Sequence, residues 1–279
     1  MLSIVVPAHN EERVIGRLLG RILSSPCPEE LDIVVVANGC TDGTAAVAAS
    51  FGPPVRVVSV PVASKREALA EGNRAARGFP RLYVDADVEL GADDVRALGE
   101  ALRRPGVLGA GPEMVFALSD RPWQIRWYYD VWARLPEVER GLFGRGVIGV
   151  SEEGYRRIAS LPPVLADDLA ASLEFSPTER VIVPDAKVTV HPARTFSDLL
   201  RGRARAMMGT TQLERAEGAP IATAHTRSAD LVAVVRDELR LAPRVALFLV
   251  VALLSRAMAR RVTRQAGYSA WLRDASSRN

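Results

Sequence analysis

The sequence predicts an α/β fold: a mostly parallel β-sheet with helices on both faces, followed by a helical C-terminal extension. Three observations carry this. Val- and Ile-rich runs without polar alternation recur through the first half, each followed by a segment of helical spacing; unbroken apolar strands alternating with helices imply a parallel sheet covered on both faces. The chain has 279 residues and 48% hydrophobic content, which suits one large domain with an appendage and a well-filled core. From Phe196 onward only helical patterns remain.

The elements follow in order. Leu2–Val6 is an apolar β-branched run closed by Pro7, and Glu11 to Ser24 carries apolar residues at helical spacing (Val14, Ile15, Leu18, Leu19, Ile22). Leu31–Val36 is a second buried-type strand ending at Asn38-Gly39. Thr41-Asp42-Gly43-Thr44 opens an Ala- and Val-rich helix, with Thr41 or Asp42 as N-cap. Val55–Val60 is the third strand, followed by a helix from Ser64 to Arg77. Leu82–Val84 is the fourth, delivering Asp85 and Asp87; Gly91 starts the next helix and Val107–Gly111 is a fifth strand. Trp123–Leu135 reads as an aromatic-rich helix whose Trp123, Trp127, Tyr128 and Trp132 suit either core packing or the wall of an acceptor pocket. Gly146–Val150 is a strand, Asp167–Phe175 an amphipathic segment, and Val181–Val183 and Val188–Val190 two short strands, the second ending at His191-Pro192.

Charge and cysteine content narrow the function. The net charge of +3 hides an asymmetry: residues 1–193 carry 21 Lys and Arg against 26 Asp and Glu, a balance of −5, whereas residues 194–279 carry 15 against 7, a balance of +8. A basic tail on an acidic body suits a solvated helical surface or an anionic partner such as phosphates or lipid headgroups. Nucleic acid is the weakest option and is not expected as a partner, because the basic residues are not interleaved with aromatics and no recognised binding motif appears. Cys27 and Cys40 form no CxxC and no His/Cys cluster, which argues against a disulfide framework or structural zinc and for a reducing, cytoplasmic compartment. The first residues read as a strand rather than a signal peptide. Only Lys65 and Lys187 among the 36 basic residues are lysines, an arginine bias of the kind a GC-rich bacterial genome imposes, and one that makes Lys65 stand out.

The chemistry gathers at strand ends. In Tyr83-Val84-Asp85-Ala86-Asp87-Val88 an apolar run ends in two carboxylates spaced i, i+2; on a strand that spacing puts both on one face. Such a pair repels unless a cation lies between, and a hard divalent ion with oxygen ligands, often shared with a substrate's phosphates, answers that need; a turn or cap is the plainer alternative. Pro7–Glu11, Asn38–Thr41 and Asp85–Asp87 all follow strand ends and converge on one crevice under right-handed crossovers. No GxGxxG follows the first strand, which argues against an ordinary dinucleotide site.

In order, these pieces resemble the family-2 inverting glycosyltransferases of GT-A fold. Ile4-Val5-Val6-Pro7-Ala8-His9-Asn10-Glu11-Glu12 resembles that family's opening strand, and Val34–Thr44 its second strand and nucleotide loop. Lys65 with Ala68, Leu69 and Gly72 resembles its Gly-Lys-x-x-Ala-Leu-x-x-Gly segment, Asp85-Ala86-Asp87 its Asp-x-Asp, and Asp167-Asp168 its acidic pair. Arg201, Arg203 and Arg205 loosely resemble a late basic motif. The resemblance covers about residues 2–210. It implies a GT-A domain over 1–210, with a nucleotide-sugar half at 1–111 and an acceptor half at 112–210, before a basic helical extension at 211–279. It further implies Asp168 as general base; Pro7, His9, Glu11, Asn38, Lys65, Asp85, Arg203 and Arg205 as donor contacts; and Asp87, Asp85 and His191 as ligands of Mg²⁺ or Mn²⁺. The implied donor is a nucleotide sugar, a UDP-sugar foremost, and the acceptor carries a hydroxyl. Asp168 also suits a helix cap, and His191 a structural role. The sequence departs from the family at Ala37, where an Asp often reads the base, and at Ala70, where Asn is usual; Asn38 or backbone groups are left to read the base. A nucleotidyltransferase and a non-catalytic nucleotide-sugar-binding protein are the rival functions.

The apolar run Val245–Leu254 lies between Arg244 and Arg256, Arg260 and Arg261. Ten apolar residues fall short of the roughly 20 a bilayer span needs. The run therefore suits a core helix, a homodimer interface or a helix lying in an anionic membrane surface, peripheral on the inner face.

Overall fold

The computed structural model describes residues 1–25, 31–161, 167–217 and 226–266. Eight strands form one sheet in the order β3-β2-β1-β4-β7-β6-β8-β5. The first four, β1 (Leu2–Ala8), β2 (Leu31–Asn38), β3 (Val55–Val60) and β4 (Arg81–Val84), are all parallel. They alternate with α1 (Ile15–Ile22), α2 (Thr44–Ala49) and α3 (Lys65–Ala75). β1 and β2 pair from Leu2↔Leu31 to Ala8↔Ala37, so their carboxyl ends are level and the loops that follow lie side by side. Val5 pairs with Tyr83, and continuing that register brings Asp85 beside Pro7.

Beyond β4 the sheet is mixed. β7 (Val147–Val150) runs antiparallel to β4 and to β6 (Gly109–Phe116), β8 (Arg180–Val190) parallel to β6, and the two-residue β5 (Glu89–Leu90) antiparallel to β8. Four of the seven pairings are thus parallel. The two short strands expected at 181–190 are one strand, and a register shift at Pro112/Glu113 on β6 absorbs the polar Pro184-Asp185 between them. The fifth strand starts at Gly109 rather than Val107.

The fold has two main cores. β1, β2, β4, α1 and α4 (Ala92–Leu102) bury their Ile, Leu and Val side chains in the first. Gly72 lets α3 lie on β1: a Cβ there would stand 2.3 Å from Val5 Cγ1. The second joins α5 (Trp123–Trp132) to the C-terminal helices α9 (Phe196–Glu217), α10 (Ser228–Asp237) and α11 (Ala242–Ala266). The aromatic stripe divides here. Tyr128 and Trp132 are buried, with Tyr128 stacked on Phe248, while Trp123 is exposed. α9 runs unbroken through residue 210, where the sequence suggested a domain boundary.

The helical stretch Leu239–Thr263 is long and apolar enough to cross a membrane by length and composition, a test that core helices also pass. The helical stretch is longer than the ten-residue apolar run read from the sequence, because Leu239–Leu241 forms a 3-10 turn that joins α11 and the stretch takes in Arg240 and Arg244. Val245, Phe248, Val251, Ser255 and Ala259 are buried at helical spacing; Leu249, Val250, Leu253 and Leu254 on other sides are exposed. The helix is therefore not simply internal.

Candidate active site

The floor of the crevice is built by the loops after β1 and β2. Asn10 adopts φ of 55°, a conformation Asn tolerates better than most residues. There its Oδ1 accepts the Thr41 N–H at 2.8 Å. The Glu11 N–H donates to Thr44 Oγ1 at 2.8 Å, and Glu12 Oε2 accepts the Gly43 N–H at 3.0 Å. Asp42, rather than capping α2 as its first flanking residue, accepts from the Thr44 N–H and hydroxyl and from the Glu12 N–H. Burial pushes the Asp42 carboxyl up, but these bonds outweigh it and hold it below the usual carboxylate range. The two loops thus brace each other before any ligand arrives.

A cavity of about 360 Å³ opens above this floor. Pro7, His9, Glu11 and Asn38 line it from the first two strand ends, and Lys65, Asp85 and Asp87 from the next two. His191, Arg203 and Arg205 line it from the C-terminal half. Every residue expected to contact donor or metal lines this one cavity. Arg201 does not; it pairs with Asp198, which lines the cavity. Tyr129, beside the aromatic stripe, is the α5 side chain that reaches it.

Asn38 is buried. Its Nδ2 donates to Ala8 O at 2.7 Å, while its Oδ1 is buried without a hydrogen-bond partner among the described residues. Lys65 opens α3, behind the N-cap Ser64, whose side chain accepts the Glu67 N–H. Its Nζ stands 3.1 Å from Asp85 Oδ1.

Asp85 and Asp87 lie in the turn after β4 rather than on the strand. The side-chain period of two therefore does not set their facing; the turn does. The Asp85 N–H donates to Gly146 O at 2.7 Å. Gly146 has φ of +66°, and a Cβ there would stand 2.5 Å from Val88 Cγ1. Only glycine holds that carbonyl against the turn.

His191 Nε2 is 2.8 Å from Glu89 Oε1, and Glu89 also takes Arg21 at 2.7 Å and Arg17 at 3.5 Å. This leaves Nδ1 as the nitrogen His191 can offer to the cavity. Among the described residues no three His, Cys, Asp or Glu side chains converge closely enough to hold a metal. Asp85 and Asp87 line the same cavity, and that suits Mg²⁺ or Mn²⁺, since such ions commonly take one or two carboxylates and draw their other ligands from water and phosphate.

Asp168 sits near the start of α8 (Asp167–Glu174) and lines a smaller cavity, of about 30 Å³, that shares Pro7, Lys65 and Asp85 with the larger one. Its Oδ2 accepts the Gly144 N–H at 2.7 Å and its Oδ1 the Leu169 N–H at 2.8 Å. The segment Gly141–Gly146 thus touches both acidic sites. Arg145, buried, anchors it by donating to Gly141 O and Pro112 O at 2.8 Å and to Val138 O at 2.7 Å. Burial lowers the Arg145 guanidinium to about 10. Neither this segment nor Glu89 was singled out from the sequence, although three glycines within six residues ahead of a strand are a turn signal. Tyr83 lines the smaller cavity, and burial pushes its phenol up to about 12.

Comparisons place this arrangement among known proteins. The family model described as Glycosyl transferase family 2 matches residues 3–151. The 4,4'-diaponeurosporenoate glycosyltransferase of Staphylococcus aureus strain MRSA252 is 39% identical over 102 residues, 35% of this chain and 27% of that protein. The chain thus matches about a quarter of that relative's length. Among solved structures, a mannosyltransferase from Pyrobaculum calidifontis in complex with GDP-Man and Mn²⁺ superposes with a TM-score of 0.62 at 21% identity, over 95% of this chain and 75% of that one. Glucosyl-3-phosphoglycerate synthase from Mycobacterium tuberculosis, in complex with Mn²⁺, UDP-Glc and phosphoglyceric acid, superposes with a TM-score of 0.57 at 23% identity, over 80% and 81%. At these identities the structures speak for the fold, which is GT-A. Since the matched region runs from β1 through β7, just over half of the 279 residues, the chain belongs to glycosyl transferase family 2.

Proposed function

We propose that this protein transfers a sugar, with inversion, from a nucleoside-diphosphate sugar to a hydroxyl-bearing acceptor, with Asp168 as general base. One observation carries the reading: a single cavity gathers Pro7, His9, Glu11, Asn38, Lys65, Asp85, Asp87, His191, Arg203 and Arg205, and Asp168 lines a second cavity that shares Lys65 and Asp85 with it.

The residues divide the work. The braced loops offer Pro7, His9, Glu11 and Asn38 to the nucleotide. The donor is a UDP-sugar foremost, with a GDP-sugar as the second reading; solved structures of this fold are complexes with UDP-Glc and with GDP-Man. Lys65, Arg203 and Arg205 put positive charge at the diphosphate. Asp85 and Asp87, with His191 lining the same cavity, would hold Mn²⁺ or Mg²⁺, which when bound offsets charge on the diphosphate. In the transfer, the acceptor oxygen bonds to the anomeric carbon and that carbon's bond to the phosphate oxygen breaks. The nucleoside diphosphate leaves with the electron pair, and the hydroxyl proton passes to Asp168. Gly144 N–H, donating to Asp168 Oδ2, fixes the carboxylate's direction.

The basic tail and the exposed apolar residues of α11 support a working position on an anionic membrane surface. Incubation with UDP-, GDP- and ADP-sugars, scored for slow release of nucleoside diphosphate, tests the donor reading. Release from a UDP- or GDP-sugar that stops on chelation is expected; pyrophosphate release from a nucleoside triphosphate would point to a nucleotidyltransferase instead.

A further inference from the structure

A cavity of about 720 Å³ lies between α9 and α11, next to the nucleotide crevice, with which it shares Arg203. This is within the size range of small-molecule sites, about 300–1,000 Å³. Its middle is apolar: Met207 and Met208 of α9 face Phe248, Val251 and Ala252 of α11. Arg203, Arg215, Arg256 and Arg260 also line it, and no Asp or Glu does among the described residues. Arg203 lines both this cavity and the nucleotide crevice. Its guanidinium lies 5.8 Å from the Tyr128 ring centroid and 5.7 Å from that of Trp132. Leu249 and Leu253, also on the lining, are 46% and 65% exposed.

We infer that this groove seats the acceptor, and that the acceptor is an anionic amphiphile with one long apolar chain. The inference rests on the proposed donor site. Continuity carries it: a chain lying between α9 and α11 brings its polar end past Arg203, into the crevice where the sugar is held. Charge carries the sign: among the described residues the charged lining is arginine, Arg203, Arg256 and Arg260 among it, which favours an anion and disfavours a cation. The apolar middle gives affinity that grows with chain length, about fourfold for each methylene buried. The exposed Leu249 and Leu253 give the chain an edge over which to enter from a lipid surface.

Calorimetric titration of the full chain tests this, using decyl phosphate and decanoate below their micelle concentrations, with butyl phosphate and decyltrimethylammonium as controls. Saturable one-to-one binding of a ten-carbon anion is expected, with butyl phosphate at least 100-fold weaker and the cation not bound. The tighter of the two anions identifies the head group. Ala206→Trp and Ala252→Trp, which fill the groove, should each weaken binding at least tenfold while Mn²⁺-dependent UDP or GDP binding stays within twofold. Should both fail to fold by circular dichroism, Arg256→Glu/Arg260→Glu decides, with at least a tenfold loss expected. Unchanged affinity in the variants overturns the inference. So does binding only to phosphatidylglycerol vesicles and never to the monomeric anion, or a dimer in sedimentation that excludes the probe. Loss of nucleotide binding in the wild type would instead sink the donor site and leave the groove result standing by itself.

Discussion

At the scale of single residues, Asp168 and Asp85 differ in how they are held. Asp85 pairs with Lys65 and hangs from Gly146 through its backbone N–H, so its charge is balanced and its place fixed by the turn. Asp168 receives two backbone N–H groups. The Leu169 N–H belongs to the third residue of α8, one of the first-turn donors that a capping side chain serves; what a cap does not account for is the second bond, from Gly144 outside the helix. Asp168→Asn keeps the shape but removes the proton acceptor. Turnover should fall by about 10²–10⁴-fold, with nucleoside-diphosphate affinity unchanged by calorimetry. A loss under threefold with the true acceptor would remove Asp168 from the base role. Its direction depends on Gly144 and the Gly141–Gly146 segment, which the sequence reading passed over because glycines carry no chemistry of their own. The same holds for Glu89, whose importance comes from meeting Arg17, Arg21 and His191 across 68 to 102 residues of chain.

At the scale of elements, the parallel half of the sheet is tied at its edge by one buried carboxylate. Asp32 of β2 accepts from Ser3 Oγ of β1 at 3.0 Å, Arg56 Nε of β3 at 3.0 Å and the Arg77 N–H after α3 at 2.9 Å. Burial pushes this carboxyl up, but Arg56, the Arg77 N–H and the Ser3 hydroxyl outweigh it, and it sits below its ordinary value. The stability it contributes is therefore present above the unfolded carboxyl's value, about 3.9, and is lost as pH falls through the lower folded value. Asp32→Asn should lower the melting temperature at pH 7, by an amount equivalent to about 2–3 kcal/mol. The gap from wild type should narrow below about pH 4. A gap constant from pH 7 to pH 3 would contradict this. The parallel strands β1 to β4 were legible because β-branched runs report burial on both faces. β5 was not, being two residues long and held only through β8. The two carboxylates of Asp85-Ala86-Asp87 were legible as a pair, but their facing comes from a turn pinned by Gly146, a contact across the sheet that local periodicity does not encode.

At the scale of the whole molecule, the second core makes the C-terminal helices part of the body. α11 stacks Phe248 on Tyr128 of α5, and its Arg244 pairs with Asp130, yet Leu249, Val250, Leu253 and Leu254 stay exposed beside the arginines that follow. A helix with one face packed and another apolar and open suits a lipid interface. The protein should bind phosphatidylglycerol vesicles at low salt and release substantially by 0.5 M NaCl, since exposed charges are screened within about 3–10 Å over that range. Equal binding to neutral vesicles would argue against the electrostatic part, and failure to bind either would return α11 to a protein interface. Sequence alone left core, dimer and membrane open, because an apolar run shows composition but not which sides a neighbour covers.

We propose the crevice at the carboxyl ends of β1, β2 and β4 as a metal-dependent nucleotide-sugar site. Calorimetric titration of UDP and GDP into the wild type and Asp87→Asn, each with Mn²⁺ and with EDTA, tests it most directly. Wild type should bind at least one of the two only when Mn²⁺ is present, and Asp87→Asn, folded to the same melting temperature within a few degrees, should lose at least tenfold in affinity. Equal binding by both proteins in EDTA, or no binding of either nucleotide by the wild type in Mn²⁺, would contradict the account.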